Sequence, residues 1–220
     1  MDPRIEQVLT CAIEDFIRTA EPISSQSLTK GHGLEVSSAT IRNWFATLEE
    51  EGYLVQPHTS AGRIPTEAGY RWYISRFGEV EETEEDCSVI EKSIGVNRDI
   101  KQAAKTCAEL TGLAVFLGSG TSDTYYTGLS QLFSQPEFRD SSRVISMSSI
   151  LDRLDHQLNQ LRKKQYEVPT ILIGESCPFG NASSSILLTL PNDVLIGVLG
   201  PLRMDYRRTR NIMSVIQKQL

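Results

Sequence analysis

Arg42 and Asn43 stand side by side in the stretch SSATIRNWFATLEEEGYL, which begins at Ser37. A guanidinium pairs with O6 and N7 of guanine and a carboxamide suits adenine, so on a bare helix face these two side chains could read bases in a major groove about 12 Å wide. The residues just before them, Ser37, Ser38 and Ala39, are small and let a backbone come close. The two serine hydroxyls, beside the free amides and positive dipole end of a helix, suit a phosphate. Further on, PHTSAGR places His58, Thr59 and Ser60 where they could bond phosphate, and Arg63 where it could enter a minor groove of negative potential. A plainer reading stands beside each: Ser37 as a helix cap, Arg42 as a solvated side chain, the tip as a tight hairpin with a solvated Arg.

The elements around these residues decide between the readings. Ile5, Val8, Leu9, Ala12, Ile13, Phe16 and Ile17 recur at the spacing of one apolar helical face. Glu21-Pro22 ends that first helix, a Ser caps a short second one, and Gly31 and Gly33 make its exit turn. Ser37 opens a third helix, in which Ile41, Phe45 and Leu48 form the core-facing stripe and leave Ser38, Ala39, Arg42, Asn43 and Ala46 outward. Trp44 is expected to extend that stripe by packing. Tyr53 to Gln56 can pair with residues near Arg63 and Ile64, with Pro57, Ser60 and Gly62 in the turn, and Thr66 caps a short aromatic helix. Three helices and a two-stranded tip spell a winged helix-turn-helix over residues 1–78, the setting in which a reading helix makes sense.

The net charge of −6 argues against a nucleic-acid binder until it is located. EVEETEED, Glu79 to Asp86, holds six acids and no base, so the rest of the chain balances 22 acids against 22 bases. Residues 79–86 read as an acidic linker between two domains. Beyond it, residues 87–220 read as a small, sheet-centred α+β domain of the sensor type. Asn97 can cap a helix through Ile100, Ala103, Ala104 and Cys107 that ends at Gly112, and LAVFLG and TYYTGLSQLF read as strand regions. A long helix carries Met147, Leu151, Leu154, Leu158 and Leu161 on one stripe, more plausibly intradomain core than a coiled coil. PTILIG, SSILLTL and VLIGVLG are antiparallel β runs, and a last amphipathic helix uses Tyr206, Thr209, Ile212, Met213, Ile216 and Leu220.

Over nearly its whole length the chain resembles the heat-inducible transcription repressor family, HrcA. The segment EPISSQSLTKGHGLEVSSATIRNWFATLEEEGYLVQPHTSAGRIPTEAGYRWYI is similar to the family's N-terminal winged helix. AELTGLAVFLG, LSQLFSQPEF, ILIGE and IGVLGPLRMDYRRTRNIMSVIQKQL are similar, in order, to its GAF-like C-terminal domain. The stretch between AVFLG and TYYTGLSQLF is shorter than the family's, leaving no room there for a further sheet segment and an inserted dimerisation subdomain. The resemblance implies a fold of a mainly α winged helix-turn-helix plus a shortened GAF-like α+β domain with an antiparallel sheet. It implies a homodimeric repressor on an inverted-repeat DNA operator before chaperone genes, released on heat stress, with the chaperonin as a candidate partner. It places the DNA contacts on Ser38, Thr40, Arg42 and Asn43, and on His58, Thr59, Ser60 and Arg63. Heat release would follow if a second domain of limited core loosened before the first.

Other chemistries find less support. Cys11, Cys87, Cys107 and Cys177 form no C-x-x-C pair and have no neighbouring His, so no metal or cofactor is expected and the thiols read as buried or incidental. GSGTSD lacks the Lys-Ser/Thr of a phosphate loop and reads as a turn. No acid, base and nucleophile assemble into a catalytic set, so the chain is expected not to be an enzyme. No apolar run approaches the roughly 20 residues of a membrane span and no secretory signal is evident, which points to the cytoplasm. The second reading is a regulator that senses a small molecule through its C-terminal domain.

Overall fold

Asp2 accepts a hydrogen bond from the amide of Arg4 at 2.8 Å, and Pro3, whose missing N–H costs nothing there, starts helix α1 (Pro3–Thr19). This is how the chain begins in a computed structural model, which describes all residues except 60, 79–83, 96, 97 and 120–122. The chain divides into two units, Met1–Gly78 and Glu79–Leu220.

In the first unit α1 buries Val8, Leu9, Ala12 and Ile13. Helix α2 (Ser25–Gly31) opens on a reciprocal Ser24–Ser27 capping box, and Gly33, at a φ of +58°, turns the chain toward the next helix. Helix α3 (Ser38–Glu50) sets Ile41, Phe45 and Leu48 into the core beside Leu28. Each such side chain contributes about 1.5–3 kcal/mol by leaving water, so α3 is held by its inner stripe and its outer face is free to vary. Strands β1 (Leu54–Val55) and β2 (Ile64–Pro65) pair antiparallel, and Thr66 caps α4 (Glu67–Ser75) by accepting from the Gly69 amide at 3.1 Å. Gly69 itself lies under β1, because a Cβ there would meet the Tyr53 carbonyl oxygen at 2.3 Å. One further bridge joins Ile23 to Arg63, each amide donating to the other's carbonyl at 2.8 Å.

The second unit is built on a five-stranded antiparallel sheet in the order β4-β3-β7-β6-β5: β3 Ala114–Ser119, β4 Asp123–Thr127, β5 Thr170–Ile173, β6 Ser183–Leu190 and β7 Val194–Pro201. β6 and β7 are buried nearly throughout, so both faces of the sheet are covered. Ala114, Phe116, Leu187, Leu195 and Leu199 meet Leu132, Phe138, Met147, Leu154, Leu158 and Leu161 in one core cluster. The residues between them, Val115, Leu117, Ile186, Leu188, Ile196 and Val198, are also buried and by the strand period point the other way. That side is served by α5 (Glu84–Ile94), α6 (Ile100–Thr111) and α10 (Tyr206–Gln219). A sheet buried on both faces is more core than the limited one expected from sequence.

Four expectations change here. The acidic run is not wholly a linker: Glu84, Glu85 and Asp86 lie in α5, and Asp86, nearly buried, accepts from Arg208 Nε at 2.9 Å and Nη2 at 2.8 Å. Residues 79–83 lie outside the described residues. Asn97 also lies outside them, and α6 is capped instead by Asp99, which accepts from the amides of Lys101 and Gln102. TYYTGLSQLF is strand only through Thr127, after which Gly128, at a φ of +79°, starts α7 (Leu129–Phe133). A Cβ at Gly128 would meet the Leu113 carbonyl oxygen at 2.3 Å, so glycine permits this tight exit. The long helix is two, α8 (Ser141–Leu151) and α9 (Leu154–Arg162), because Arg153 leaves helical geometry at φ −109°, ψ 10°. Met147 and the Leu154, Leu158, Leu161 stripe then reach the core from separate helices.

Candidate nucleic-acid interface

On α3, Ala39, Arg42, Asn43 and Ala46 are exposed, while Ser38 and Thr40 are half-buried. Arg42 has no carboxylate partner among the described residues, and its neighbours on that face are methyl groups and one amide. Ser37 is exposed but engaged: its Oγ accepts from the Thr40 amide at 3.1 Å and lies 2.9 Å from Thr40 Oγ1. Ser37 and Thr40 therefore hold the helix start together, and capping is the role the geometry shows for them. Trp44 is half-buried and shares a groove of about 420 Å³ with Arg4, Gln7, Leu34 and Val36, beside the core stripe and off the exposed face.

The tip is braced from inside. Gln56 Nε2 donates to the carbonyls of Thr59 at 2.9 Å and Ala61 at 3.0 Å, and the Ala61 amide donates to His58 O at 2.8 Å. His58 and Thr59 stay exposed at the end of this clip; Ser60 lies outside the described residues. Arg63, expected at a minor groove, is held against α3 in the unbound chain. Its side chain is 18% exposed and ion-paired to Glu49 at 2.9 Å, and Glu49 also accepts from the Gln56 amide at 3.1 Å. One carboxylate thus joins the end of α3 to the residues that flank both strands of the tip, while Glu49 itself stays partly exposed.

Sequence reasoning missed this brace, since nothing in the spacing of Glu49, Gln56 and Arg63 marks them as partners. It also passed over the distribution of charge within the first unit, which has ten acidic and seven basic residues. Arg18, Arg63, Arg71 and Arg76 are paired with Asp15, Glu49, Glu67 and Glu6. Arg4, Lys30 and Arg42 have no acid partner among the described residues, so the positive charge free to meet an anion sits on α1's start, α2 and α3. Exposed ion pairs contribute little to stability, yet they decide which cations are left over.

Asp15 and His32 fix the approach to α3. Asp15, 8% exposed, takes Arg18 Nη2 at 2.7 Å and His32 Nε2 at 3.0 Å, tying α1 to the residue that ends α2. Burial pushes its carboxyl up, but the hydrogen bonds from Arg18 and His32 outweigh burial and hold it below the ordinary carboxylate value. A carboxyl depressed in the folded state stabilises above its unfolded pKa, about 4, and that stability is lost as pH falls through the lower folded value. Stability of the chain should therefore drop on acidification below about pH 4, and Asp15→Asn should flatten that limb in urea titrations at pH 2 to 5. An unchanged acid limb would remove this linkage.

The remaining candidate chemistry is quiet. Burial pushes the Cys107 thiol up to about 12 and raises those of Cys11 and Cys177, so these sulfurs stay protonated and poorly nucleophilic at neutral pH. Among the described residues no group of three or more His, Cys, Asp and Glu could hold a metal ion. No described helix is long and apolar enough to cross a membrane.

Helices combined with antiparallel sheets define the fold, and the same arrangement occurs in a solved structure described as a hypothetical protein at 2.2 Å resolution: the TM-score is 0.77 at 18% identity, covering 100% of this chain and 97% of that one. Residues 96–209, more than half of the chain, match the family described as the HrcA protein C terminal domain. The chain belongs to the HrcA family. Proteins named heat-inducible transcription repressor HrcA are similar to it: one from Bifidobacterium longum (strain DJO10A) is 45% identical over 117 residues, covering 51% of this chain and 32% of that protein. Another, from Bifidobacterium adolescentis, is 46% identical over 110 residues, covering 48% and 29%. The matched stretch thus spans about a third of the length of these relatives.

Proposed function

We propose that this protein is a sequence-specific DNA-binding transcriptional repressor, in which the first unit acts as a winged helix-turn-helix and the second as a GAF-like domain. One observation supports it most: α3 presents Arg42, unpaired, and Asn43 between the methyl groups of Ala39 and Ala46, a face held out by a stripe buried on the opposite side. A guanidinium without a carboxylate partner and a carboxamide, on a helix that fits a major groove, are suited to direct readout of guanine and adenine. Ser37 and Ser38 supply the helix start, and His58, Thr59 and Ser60 the tip, as phosphate contacts. Arg63 acts through Glu49 by setting the tip's angle.

The family resemblance extends the proposal to an operator of inverted-repeat form before chaperone genes, bound in the cytoplasm by a homodimer and released on heat stress, with the chaperonin as a modulator. Two-fold symmetry would set the reading helices about 34 Å apart on successive turns of the duplex. Footprinting of the full chain on chaperone promoters of the source organism tests this. A protected inverted repeat, whose affinity falls with added salt but exceeds that for random duplex, is the expected result. Protection that does not distinguish promoter from random DNA would overturn it.

A further inference from the structure

The face of the second unit's sheet that carries α8 borders an open-mouthed cavity of about 220 Å³. Its walls are mainly apolar, with Ser146, Asn181 and Ser183 as the neutral polar side chains: Phe138 precedes α8, Met147 and Ile150 come from α8, Phe179 and Ala182 from the chain between β5 and β6, and Pro201 ends β7. Phe179 is 1% exposed and stands edge-on to Phe116, ring centroids 5.2 Å apart, so the back wall is part of the core and fixed. An apolar space of this kind is poor for water, which needs several polar partners, and good for hydrocarbon. A buried cavity of about 150 Å³ takes benzene, so by proportion this one holds about nine non-hydrogen atoms.

Glu137, Asp140 and Arg143 lie at or near its mouth, and among the described residues only Arg143 has a side chain without a hydrogen bond or ion pair. Glu137 is neutralised by Arg203, whose Nε reaches Oε1 at 2.6 Å and whose Nη2 reaches Oε2 at 3.2 Å. Asp140 caps α8, its Oδ1 accepting from the Ser142 amide at 2.9 Å and from the Ser142 hydroxyl at 2.8 Å. Arg143 lines the cavity and is exposed; its amide donates to the Asp140 carbonyl at 3.1 Å, while its guanidinium makes no hydrogen bond or ion pair with a described residue and acts on the Asp140 carboxylate only through space. A mainly apolar pocket with one guanidinium at its rim that has no ion pair among the described residues is complementary to a molecule with a hydrocarbon body and a single negative end.

We propose that this cavity binds a small apolar monocarboxylate, its hydrocarbon part between Phe138, Met147 and Phe179 and its carboxylate on Arg143. The site lies wholly within the second unit and does not depend on the first unit's reading of DNA, so either can fail without the other. Benzoate, with nine non-hydrogen atoms, is the probe, and benzamide is the neutral molecule of the same size.

In ligand-observed NMR with the full chain, benzoate should bind saturably with a Kd of about 1 mM or tighter, and benzamide roughly tenfold more weakly. Arg143→Gln should bring benzoate down to the benzamide level while leaving benzamide unchanged. Ala182→Phe, which fills the mouth from an exposed position, should abolish both, with the circular dichroism spectrum preserved. Equal affinities for the two probes, an unchanged benzoate affinity in Arg143→Gln, or no saturation by benzoate at about 10 mM would overturn the proposal. Should Ala182→Phe fail to fold, the Arg143→Gln comparison decides by itself.

Discussion

Gly62→Ala is expected to destabilise the first unit by about 2–4 kcal/mol, because the new methyl group meets backbone that has nowhere to move. A Cβ at this position would lie 2.3 Å from the Ile23 carbonyl oxygen and 2.5 Å from its carbon. Relief requires Ile23 and Arg63 to separate, which breaks two backbone hydrogen bonds of 2.8 Å and uncovers a side chain that is 5% exposed. A unit of 78 residues has total stability of about 4–12 kcal/mol, so the loss is a large share of it. Both tryptophans, Trp44 and Trp72, belong to this unit, so their fluorescence reports its unfolding in urea selectively. A midpoint unchanged from the parent chain would mean that the tip does not depend on this close approach. Gly31→Ala is the control, since a Cβ there meets nothing within 4 Å.

Arg42→Ala should weaken operator binding by about 1–3 kcal/mol, five- to more than a hundred-fold, and relax preference at one base pair while leaving random duplex nearly unaffected. The expectation follows from the side chain's freedom: it is exposed and has no acid partner among the described residues, so its removal should cost chiefly what it does on DNA. Arg63→Ala should behave differently. Loss of the Glu49 pair leaves that carboxylate without its cation and slackens the tip, so folding stability falls together with affinity for every sequence. Anisotropy titrations on operator and scrambled duplex, set beside urea unfolding of each variant, separate the two. Equal losses on both duplexes for Arg42→Ala would show that this guanidinium does not read bases.

The contrast between Arg42 and Arg63 marks how far sequence can be read. The outward position of Arg42 follows from the Ile41, Phe45, Leu48 stripe, because helical spacing fixes which residues oppose the core. The position of Arg63 depends on Glu49 and Gln56, whose meeting is set by the angle between the tip and α3 and not by any local pattern. Helix α5 shows the same limit. Ile90 and Ile94 are buried, yet the acids before them read as linker, since the neutralising partner Arg208 lies 122 residues downstream of Asp86. The division of α8 from α9 was hidden for another reason: the apolar stripe continues through the break, so the periodicity that reveals a helix conceals an interruption in it. Element type and core were legible where a single stripe meets a single neighbour, and pairings across elements were not.

The Ile23–Arg63 bridge has a thermodynamic consequence. With the tip fastened at its base to the approach of α2, and clipped at its end by Gln56, folding has already spent the configurational freedom that an open hairpin would surrender on meeting a ligand. Association should then carry a small ordering penalty at this edge. At this edge, beside the base reading by α3, groove shape would add to discrimination between duplexes, because a stiff prong penalises a misfit that a limber one would accommodate.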